Sequence, residues 1–334
     1  MFRLSRRDVL KLLGVMGLAA AWHPHRASAG VLDYVLGTPQ ARIPLPITPN
    51  DQFYLTSYRS PPSVRLHNWH LVIKGLVGRR LSLTYEELIQ RPAVSDIVTL
   101  ECVGNTVGGE FISTAEWEGI PLKTLLEEAE ILPGAHDVVF RAADDYSDAI
   151  RFERAMAGDV LIAYKMNGVS LPLAHGFPVR IIVPGSYGMK SVQWLTEIEA
   201  VDRDHKGYYQ QKGWTDEATV KSMSRIDAPG HGSRVRGAHH LVQGLAFAGT
   251  RGIRQVEVSV DEGQSWHRAM LHPPLSASSW IFWYWTWQVP QPGRYTLMVR
   301  ATDGIGNLQT SEETEPAPDG SSGLHQVTVT VEES

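Results

Sequence analysis

Residues 163–195 read AYKMNGVSLPLAHGFPVRIIVPGSYGMKSVQWL, and the apolar run Val179–Pro184 within them predicts a β-strand. A second strand is predicted upstream at Asp137–Arg141. Just before it, four apolar residues recur at the i, i+3, i+4 and i+7 spacing of one helical face. Those residues are Leu122, Leu125, Leu126 and Ala129. Pro133-Gly134 is expected to end that helix, so strands and helices mix here and predict an α+β fold.

Two more elements are predicted nearer the N-terminus of this part. VRLHNWHLVIKGLV (Val64–Val77) alternates polar and apolar residues like a strand. Thr84-Tyr-Glu-Glu87 has the spacing of a capping box, which predicts the start of a short helix. Both elements belong to the same predicted α+β domain.

The helical periodicity ends near residue 222, and only strand patterns follow. Apolar residues alternate before turns rich in Gly, Pro, Asp and Ser, as expected of an immunoglobulin-like β-sandwich. The alternating residues are Val256, Val258, Val260, Tyr295, Leu297, Val299, Ala301, Val327, Val329 and Val331. A length of 334 residues fits two domains, which we predict at 30–221 and 222–334.

Composition excludes several classes of protein. Hydrophobic residues make up 43% of the chain and charged residues 20%, which is typical of a globular protein with real cores. The net charge of −5 gives no sign of nucleic-acid binding. With a single cysteine, no disulfide can form within the chain.

The N-terminus predicts export. Arg6 and Arg7 precede an apolar run, Leu12–Ala21, and Ala27-Ser-Ala29 supplies the small residues of a cleavage site. The run is shorter than the ~20 residues that span a bilayer, so we expect a removed signal over 1–29 and no stable membrane anchor. The arginine pair resembles a twin-arginine signal, which implies that the protein reaches the periplasm already folded. An ordinary secretory signal is the alternative.

The only cysteine, Cys102, lies in the glycine-rich stretch LECVGNTVGGEF (residues 100–111). Three roles are open to it: a buried inert thiol, a catalytic nucleophile, or a thiolate ligand of a soft metal. Glycines after a strand leave room for a bulky group to approach the sulfur. A zinc site is disfavoured, because the chain has no second cysteine.

Three stretches together resemble the molybdenum domain of the sulfite oxidase family: ECVGN at 101–105, EWEGIPLKTLLEEA at 116–129, and the long stretch at 163–195. VEVSVDEGQSWHRAML at 256–271 is similar to the immunoglobulin-like dimerisation domain of that family. The family also includes eukaryotic nitrate reductases and bacterial sulfoxide reductases. The resemblance implies one Mo-molybdopterin per chain and allows a homodimer through the C-terminal domain.

The resemblance also implies a set of cofactor-binding residues. They are Cys102, Asp144, His175, Arg180, Ser191, Val192 and Gln193. Cys102 is implied as the one protein ligand of molybdenum, a role that suits a soft thiolate. His175 and Arg180 match positions that hold the pterin and its phosphate, and an arginine fork can bind phosphate oxygens bidentately.

Three positions depart from the pattern of sulfite oxidisers. Thr56 and Val107 stand where those enzymes have arginines, and His205 stands where they have a tyrosine. We therefore expect a less positive substrate site, although Arg59, Lys190, Lys206 or His205 could restore charge. We assign His205 to proton transfer, since histidine titrates near neutral pH.

The sequence thus predicts a periplasmic mononuclear molybdenum oxidoreductase that transfers an oxygen atom between water and a small oxo substrate. The alternative within this class is a reductase of sulfoxides or related compounds. A cysteine-nucleophile enzyme and a non-catalytic binding module are the alternatives from other classes. Because no CxxCH motif is present, we expect no haem and a separate electron-transfer partner, a cytochrome.

Overall fold

A computed structural model describes residues 43–333 of the chain. The predicted signal, 1–29, lies outside the described residues. Within the described range, the search for helices long and apolar enough to cross a bilayer finds none.

The N-terminal part contains ten strands and three short α-helices among the described residues. The strands are β1 (Leu71–Gly75), β2 (Leu81–Leu83), β3 (Val94–Glu101), β4 (Ile112–Pro121), β5 (Asp137–Ala142), β6 (Ser147–Arg151), β7 (Leu161–Met166), β8 (Val169–Ser170), β9 (Arg180–Ile182) and β10 (Leu195–Val201). The helices are α1 (Tyr85–Ile89), α2 (Leu122–Glu128) and α3 (Phe152–Ala155). Single 3-10 turns occur at Leu66–Asn68, Leu173–His175, Gly188–Lys190 and Gln210–Lys212.

These strands form two sheets. One has the order β2-β1-β10-β5-β6, in which only the β1–β10 pair is parallel. The other is antiparallel, with the order β3-β4-β7-β8 and β9 paired to β7. The loops that leave β3, β5 and β9 meet at one cavity, which is described below.

Most of the predicted elements of this part are present. α2 buries Leu122, Leu125 and Leu126, and Thr84 caps α1 through a complete capping box, so both helix predictions are confirmed. The strand predicted over Val64–Val77 is wrong in its first half, where Leu66–Asn68 forms a 3-10 turn. The turn allows Trp69 to turn inward, where its indole N–H donates to the Leu195 carbonyl at 3.2 Å.

The helices are short, with 5, 7 and 4 residues, so the described chain is mostly β. The predicted α+β class is therefore not confirmed. Helices this short are only marginally stable in water by themselves. Here they connect strands, and their apolar faces pack on the sheets.

The C-terminal part is built from strands alone within the described residues. They are β11 (Met223–Ala228), β12 (Ser233–Arg236), β13 (His239–Phe247), β14 (Ile253–Ser259), β15 (His267–Arg268), β16 (Met270–Leu271), β17 (Ile281–Gln288), β18 (Gly293–Asp303) and β19 (Gln326–Glu332). Their two sheets, β11-β13-β17-β16 and β12-β19-β18-β14-β15, share one apolar core. The predicted alternation is confirmed, since Val256, Val258 and Val329 are fully buried in that core. The immunoglobulin-like assignment and the boundary at 221/222 stay predictions.

The two parts pack closely around the loop that follows β3. Arg225 donates to the Gly109 carbonyl at 2.6 Å, and Ser321 donates to the Asn105 carbonyl at 2.7 Å. Gly108 has a φ of +73°, and a Cβ there would lie 2.2 Å from the ring of His325. The C-terminal part therefore holds the loop of Cys102 in place.

Candidate functional site

A cavity of about 230 Å³ opens beside Cys102 in the N-terminal part. Five of the other residues implied by the family resemblance also line it, although they come from distant points of the chain. They are Asp144, Arg180, Ser191, Val192 and Gln193. The fold thus brings six of the seven implied cofactor-binding residues to one place.

Cys102 follows the last residue of β3, and hydrogen bonds of the main chain fix its position. Its N–H donates to the Phe111 carbonyl at 2.9 Å, and its own carbonyl accepts from the Asn105 N–H at 2.9 Å. The Gly104 N–H points at the sulfur at 3.4 Å. Burial raises the pKa of the Cys102 thiol, and the Gly104 N–H and the Thr56 hydroxyl oppose that shift only in part. A bound cation is therefore needed to make this sulfur a thiolate near neutral pH.

The surroundings of Cys102 do not suit a nucleophile. Such a cysteine needs a base within hydrogen-bond reach, as a histidine commonly provides. Among the described residues, no histidine or lysine lines the cavity. A raised thiol pKa without a base favours a metal-ligand role over nucleophilic catalysis.

Arg180 supplies a buried positive charge to the cavity. Its Nη1 donates to the His175 carbonyl at 2.9 Å and its Nη2 to the Ser191 carbonyl at 3.0 Å, while its Nε is buried without a partner. No carboxylate in the described range forms an ion pair with it. Burial lowers its pKa to about 10, so it remains charged at neutral pH. An unpaired buried cation of this kind suits an anionic group such as a phosphate.

His175 lies behind Arg180 and does not line the cavity. Its Nε2 donates to the Asn50 carbonyl at 2.7 Å, which leaves Nδ1 buried without a partner. Burial lowers the pKa of the ring, so it is neutral at neutral pH. The next residue, Gly176, has a φ of +110°, and a Cβ there would be 3.0 Å from the Arg180 Cβ. The His-Gly pair thus positions the guanidinium.

Asp144 and Ser191 are held by main-chain contacts. Asp144 accepts from the Tyr146 N–H at 3.1 Å, and burial raises its pKa. The Ser191 hydroxyl accepts a hydrogen bond from the Val183 N–H at 3.1 Å. This bond stabilises the loop that contains Ser191. Asp144 therefore offers an acceptor to a ligand, whereas Ser191 supports the loop.

Sequence reasoning missed the aromatic wall of the cavity. The aromatic residues that line the cavity are Phe53, Tyr54, Tyr58, Tyr146, Trp194, Tyr209 and Trp214. The available signal was that Tyr208, Tyr209 and Trp214 closely follow the segment Asp204-His-Lys-Gly207, referred to below as the Asp204–Gly207 motif. Together with Met189, the aromatic residues of the wall make the cavity lining mostly neutral.

The three departures from the family pattern lie in different places. Thr56 lines the cavity, but Val107 faces a small cleft between the two parts, close to Gly323. His205 does not line the cavity either. The main-chain N–H of His205 donates to Asp137 Oδ2 at 2.7 Å. Burial lowers the pKa of its half-buried imidazole ring. The proton-transfer role assigned to His205 therefore lacks the necessary contact.

The position of His205 has a steric cause. A Cβ at Gly207 would lie 2.3 Å from the Ser147 carbonyl oxygen, so this segment packs tightly against β6. The Tyr208 N–H donates to the same carbonyl at 3.1 Å. With the segment held in this way, Tyr209 lines the cavity and His205 does not.

The lysines and the arginine that could restore charge have acidic partners. Lys190 is buried against Asp148, and Lys206 pairs with Asp204 and Asp216 on the surface. Arg59 pairs with Asp145 and lies over the ring of Tyr58, at the edge of the cavity. Arg180 is thus the only cation among the residues that line the cavity in the described range.

A molybdopterin group fits these residues. No group of three or more His, Cys, Asp and Glu side chains that could hold a metal occurs in the described range. Most ligands of a metal at Cys102 must therefore come from a cofactor or solvent and not from the described side chains. The unpartnered Nε of Arg180 and the Asp144 carboxyl offer a donor and an acceptor to the organic part of such a group.

Comparison with known proteins supports this interpretation. The family described as oxidoreductase molybdopterin binding domain matches residues 58–209, and the Mo-co oxidoreductase dimerisation domain matches residues 213–316. Sulfite oxidase from Gallus gallus is 33% identical over an alignment 313 residues long, which covers 79% of this chain and 68% of that protein. Mitochondrial sulfite oxidase from Mus musculus is 31% identical over 79% of this chain and 57% of its own length.

Two other similarities are more distant. Nitrate reductase [NADH] 1 from Arabidopsis thaliana is 30% identical over 73% of this chain, but only 34% of that protein is matched. The crystal structure of the sulfane dehydrogenase SoxCD from Paracoccus pantotrophus superposes with a TM-score of 0.76 over 95% of both chains. At 21% identity, that likeness shows the fold alone. The chain therefore spans between 34% and 68% of the length of these curated relatives.

Proposed function

The chain belongs to the sulfite oxidase family of molybdopterin-binding oxidoreductases, and we propose that it transfers an oxygen atom between water and a small substrate at Cys102. The observation that carries this proposal is the cavity that joins the Cys102 sulfur to the unpaired guanidinium of Arg180. The Cys102 sulfur suits the metal, and the Arg180 guanidinium suits the phosphate of the cofactor.

The residues of the chain have distinct tasks in this proposal. When bound, the molybdenum group supplies a two-electron redox couple for oxygen-atom transfer. Cys102 would hold the metal, while Arg180 and Asp144 would orient the organic part. Tyr209 and Trp214 line the cavity, and their rings would reduce the space that water can occupy beside a bound substrate.

The neutral lining supports a neutral or singly charged oxo compound as substrate, in either direction of reaction. A dianion would lose hydration in this cavity without gaining a cationic partner at Thr56, the one of the two departing positions that lines the cavity. That missing charge-assisted hydrogen bond is worth roughly 1.5–3 kcal/mol, so its absence weakens recognition by about 10-fold to 10²-fold. Reduction of a sulfoxide is the second candidate, because a sulfoxide is neutral.

We expect weak sulfite oxidation by the purified holoprotein and faster turnover of a neutral oxo compound. The measurement is kcat/KM for sulfite with an artificial acceptor, and for sulfoxides and N-oxides with a reduced dye. Thr56→Arg should raise kcat/KM for sulfite because Thr56 lines the cavity. Thr56→Gln, which is polar but uncharged, and Val107→Arg, which lies outside the cavity, should not raise it.

A wild-type kcat/KM for sulfite within the usual enzyme range of ~10⁴–10⁸ M⁻¹s⁻¹ would show that other groups replace the arginines. In that case the neutral-substrate proposal would be wrong and the enzyme would be a sulfite oxidase.

We also propose a homodimer, a separate electron-transfer partner and a periplasmic location. The match of residues 213–316 to a dimerisation family supports the dimer, which light scattering of the purified protein tests. A one-electron carrier protein, such as a cytochrome, would exchange the two electrons of each cycle one at a time. Stimulated turnover with a purified c-type cytochrome tests that partner, and absence of electron transfer would argue against it.

Export is tested by a double substitution in the N-terminal segment. Arg6→Lys with Arg7→Lys should leave folded, molybdenum-containing protein in the cytoplasm, because only the export signal is altered. Cell fractionation followed by metal analysis provides the measurement. Unchanged delivery to the periplasm would show that the arginine pair is not the signal.

A further inference from the structure

A continuous row of polar side chains runs from the cavity to the protein surface. Tyr146 lines the cavity, and its hydroxyl lies 3.0 Å from Asp148 Oδ2 and 3.0 Å from the Met189 carbonyl oxygen, either of which can accept its proton. Lys190 Nζ donates to Asp148 Oδ1 at 2.8 Å and to Asp216 Oδ1 at 3.3 Å. Lys206 Nζ donates to Asp216 Oδ2 at 2.6 Å. All four links are within hydrogen-bond distance, so no gap interrupts the row.

Exposure increases toward one end of this row. Tyr146, Asp148 and Lys190 are 8%, 1% and 2% exposed. The side chains of Asp216 and Lys206 are 32% and 46% exposed. The row therefore leads from buried side chains to solvent-exposed ones through hydroxyl, carboxyl and amino groups in direct contact.

The buried pair at the centre of the row is not explained by stability. Two charges in the interior lose hydration, and a buried ion pair often contributes less than packed apolar residues of the same size. Burial raises the pKa of Asp148, and Lys190 opposes that shift. The neighbouring groups are His205, whose pKa is lowered mainly by burial, and Gln210, which lies 3.4 Å from Asp148 Oδ2.

The outer end of the row is held by the turn at Gly207. A Cβ at this position would lie 2.9 Å from the Asp148 Cα, so only glycine allows the segment to pack so closely on β6. Lys206, the preceding residue, then reaches Asp216. The Asp204–Gly207 motif thus completes the row instead of supplying a side chain to the cavity.

The chemistry of the proposed function gives such a connection a use. Moving an oxygen atom from water to a substrate releases two protons and two electrons, and the reverse reaction takes up the same number. The electrons pass to or from the one-electron partner protein. The row offers the protons a path through side chains, because Tyr146 lines the cavity and its hydroxyl contacts Asp148.

We propose that Tyr146, Asp148, Lys190 and Asp216 form a proton relay between the cavity and solvent, an inference that rests on the proposed oxygen-transfer function. In the oxidative direction, the Tyr146 hydroxyl passes its proton to Asp148 while its oxygen accepts a proton that the substrate water in the cavity releases. Lys190 gives a proton to Asp216 and regains one from Asp148. Asp216 then releases the proton to solvent beside Lys206.

The test uses Asp216→Asn in the holoprotein, because this substitution keeps the shape of a partly exposed residue outside the cavity. We expect kcat to fall by about 10-fold to 10²-fold at unchanged KM and molybdenum content, since loss of one relay group outside the cavity should cost no more than the lower end of the ~10²–10⁴-fold contribution of direct proton transfer. The solvent deuterium isotope effect should increase. Millimolar imidazole should restore part of the rate, which it would not do if Asp216 were merely structural.

A second readout is independent of turnover. Nitrogen-15 NMR of labelled lysine follows exchange of the Lys190 Nζ protons with solvent, which Asp216→Asn should slow by about 10-fold or more if the exchange uses the relay. The matched control is Asp159→Asn, which removes a carboxylate of similar exposure, paired with Arg154 outside the row. Kinetics and exchange should be unchanged in that variant.

Unchanged kcat, isotope effect and Lys190 exchange in Asp216→Asn would overturn the relay. If Asp216→Asn did not fold, Lys206→Gln on the surface would take its place, with the same readouts and a smaller expected loss of rate. If the wild-type holoprotein turned over no oxo substrate, the proposed function would fail. The NMR exchange would then still decide whether the four residues conduct protons.

Discussion

Cys102→Ala is expected to abolish turnover, with the fold left intact. The sulfur is the one thiolate ligand that the chain can offer to a metal in this cavity, and the described residues contain no group of three or more His, Cys, Asp and Glu side chains that could replace it. The loop itself should persist, because it is held by the main chain of Cys102 and by contacts from Arg225 and Ser321. Steady-state kinetics, molybdenum content and the thermal unfolding midpoint are the measurements.

Cys102→Ser provides the matched control for size. A serine hydroxyl keeps nearly the same volume but is a hard, weakly acidic ligand, so the activity should be lost as well. Activity retained in Cys102→Ala would refute the ligand assignment. A large fall in the unfolding midpoint would instead indicate that the thiol has a structural role.

Arg180→Ala is expected to lower the molybdenum content of the purified protein about 10-fold to 10²-fold, because a buried phosphate would lose a charge-assisted partner worth roughly 1.5–3 kcal/mol. The substitution also leaves the His175 and Ser191 carbonyls without their donor and removes the contact with the Trp117 ring. We therefore expect a lower unfolding midpoint too.

Arg180→Lys separates charge from geometry. Lysine keeps the positive charge but cannot donate from a fork to two carbonyls and an anion together, so it should recover part of the cofactor content. Arg141→Ala, which removes a half-exposed arginine paired with Glu197 and Glu199, is the control and should leave the content unchanged. Full molybdenum loading of Arg180→Ala would show that this residue does not bind the cofactor.

The elements that were predicted correctly depend on local interactions. The i, i+3, i+4 spacing of Leu122, Leu125 and Leu126 and the capping box of Thr84 act within one or two turns of chain, so they can be recognised without the rest of the fold. The alternation of valines in β14 and β19 is likewise a property of neighbouring residues.

The positions of His205 and Val107 depend on distant contacts. The resemblance to sulfite oxidisers singled them out, but neither lines the cavity. The tight contact of Gly207 with β6 and the packing of Gly108 against His325 turn the chain so that both side chains face elsewhere. Neither contact is visible in a local pattern, since the partners are about 60 and more than 200 residues away.

By itself, the sequence was sufficient for the family and the cofactor class, because long specific motifs carry that information, and its unique cysteine predicted the sulfur ligand. Only the tertiary structure showed that Arg180 is the one cation among the described residues that line a cavity rich in aromatic side chains, that it has no acidic partner there, and that Asp148 contacts Lys190 from 42 residues away. The physical reason is that charge pairing and burial arise from the packing of distant segments, whereas periodicity, capping and residue identity are local.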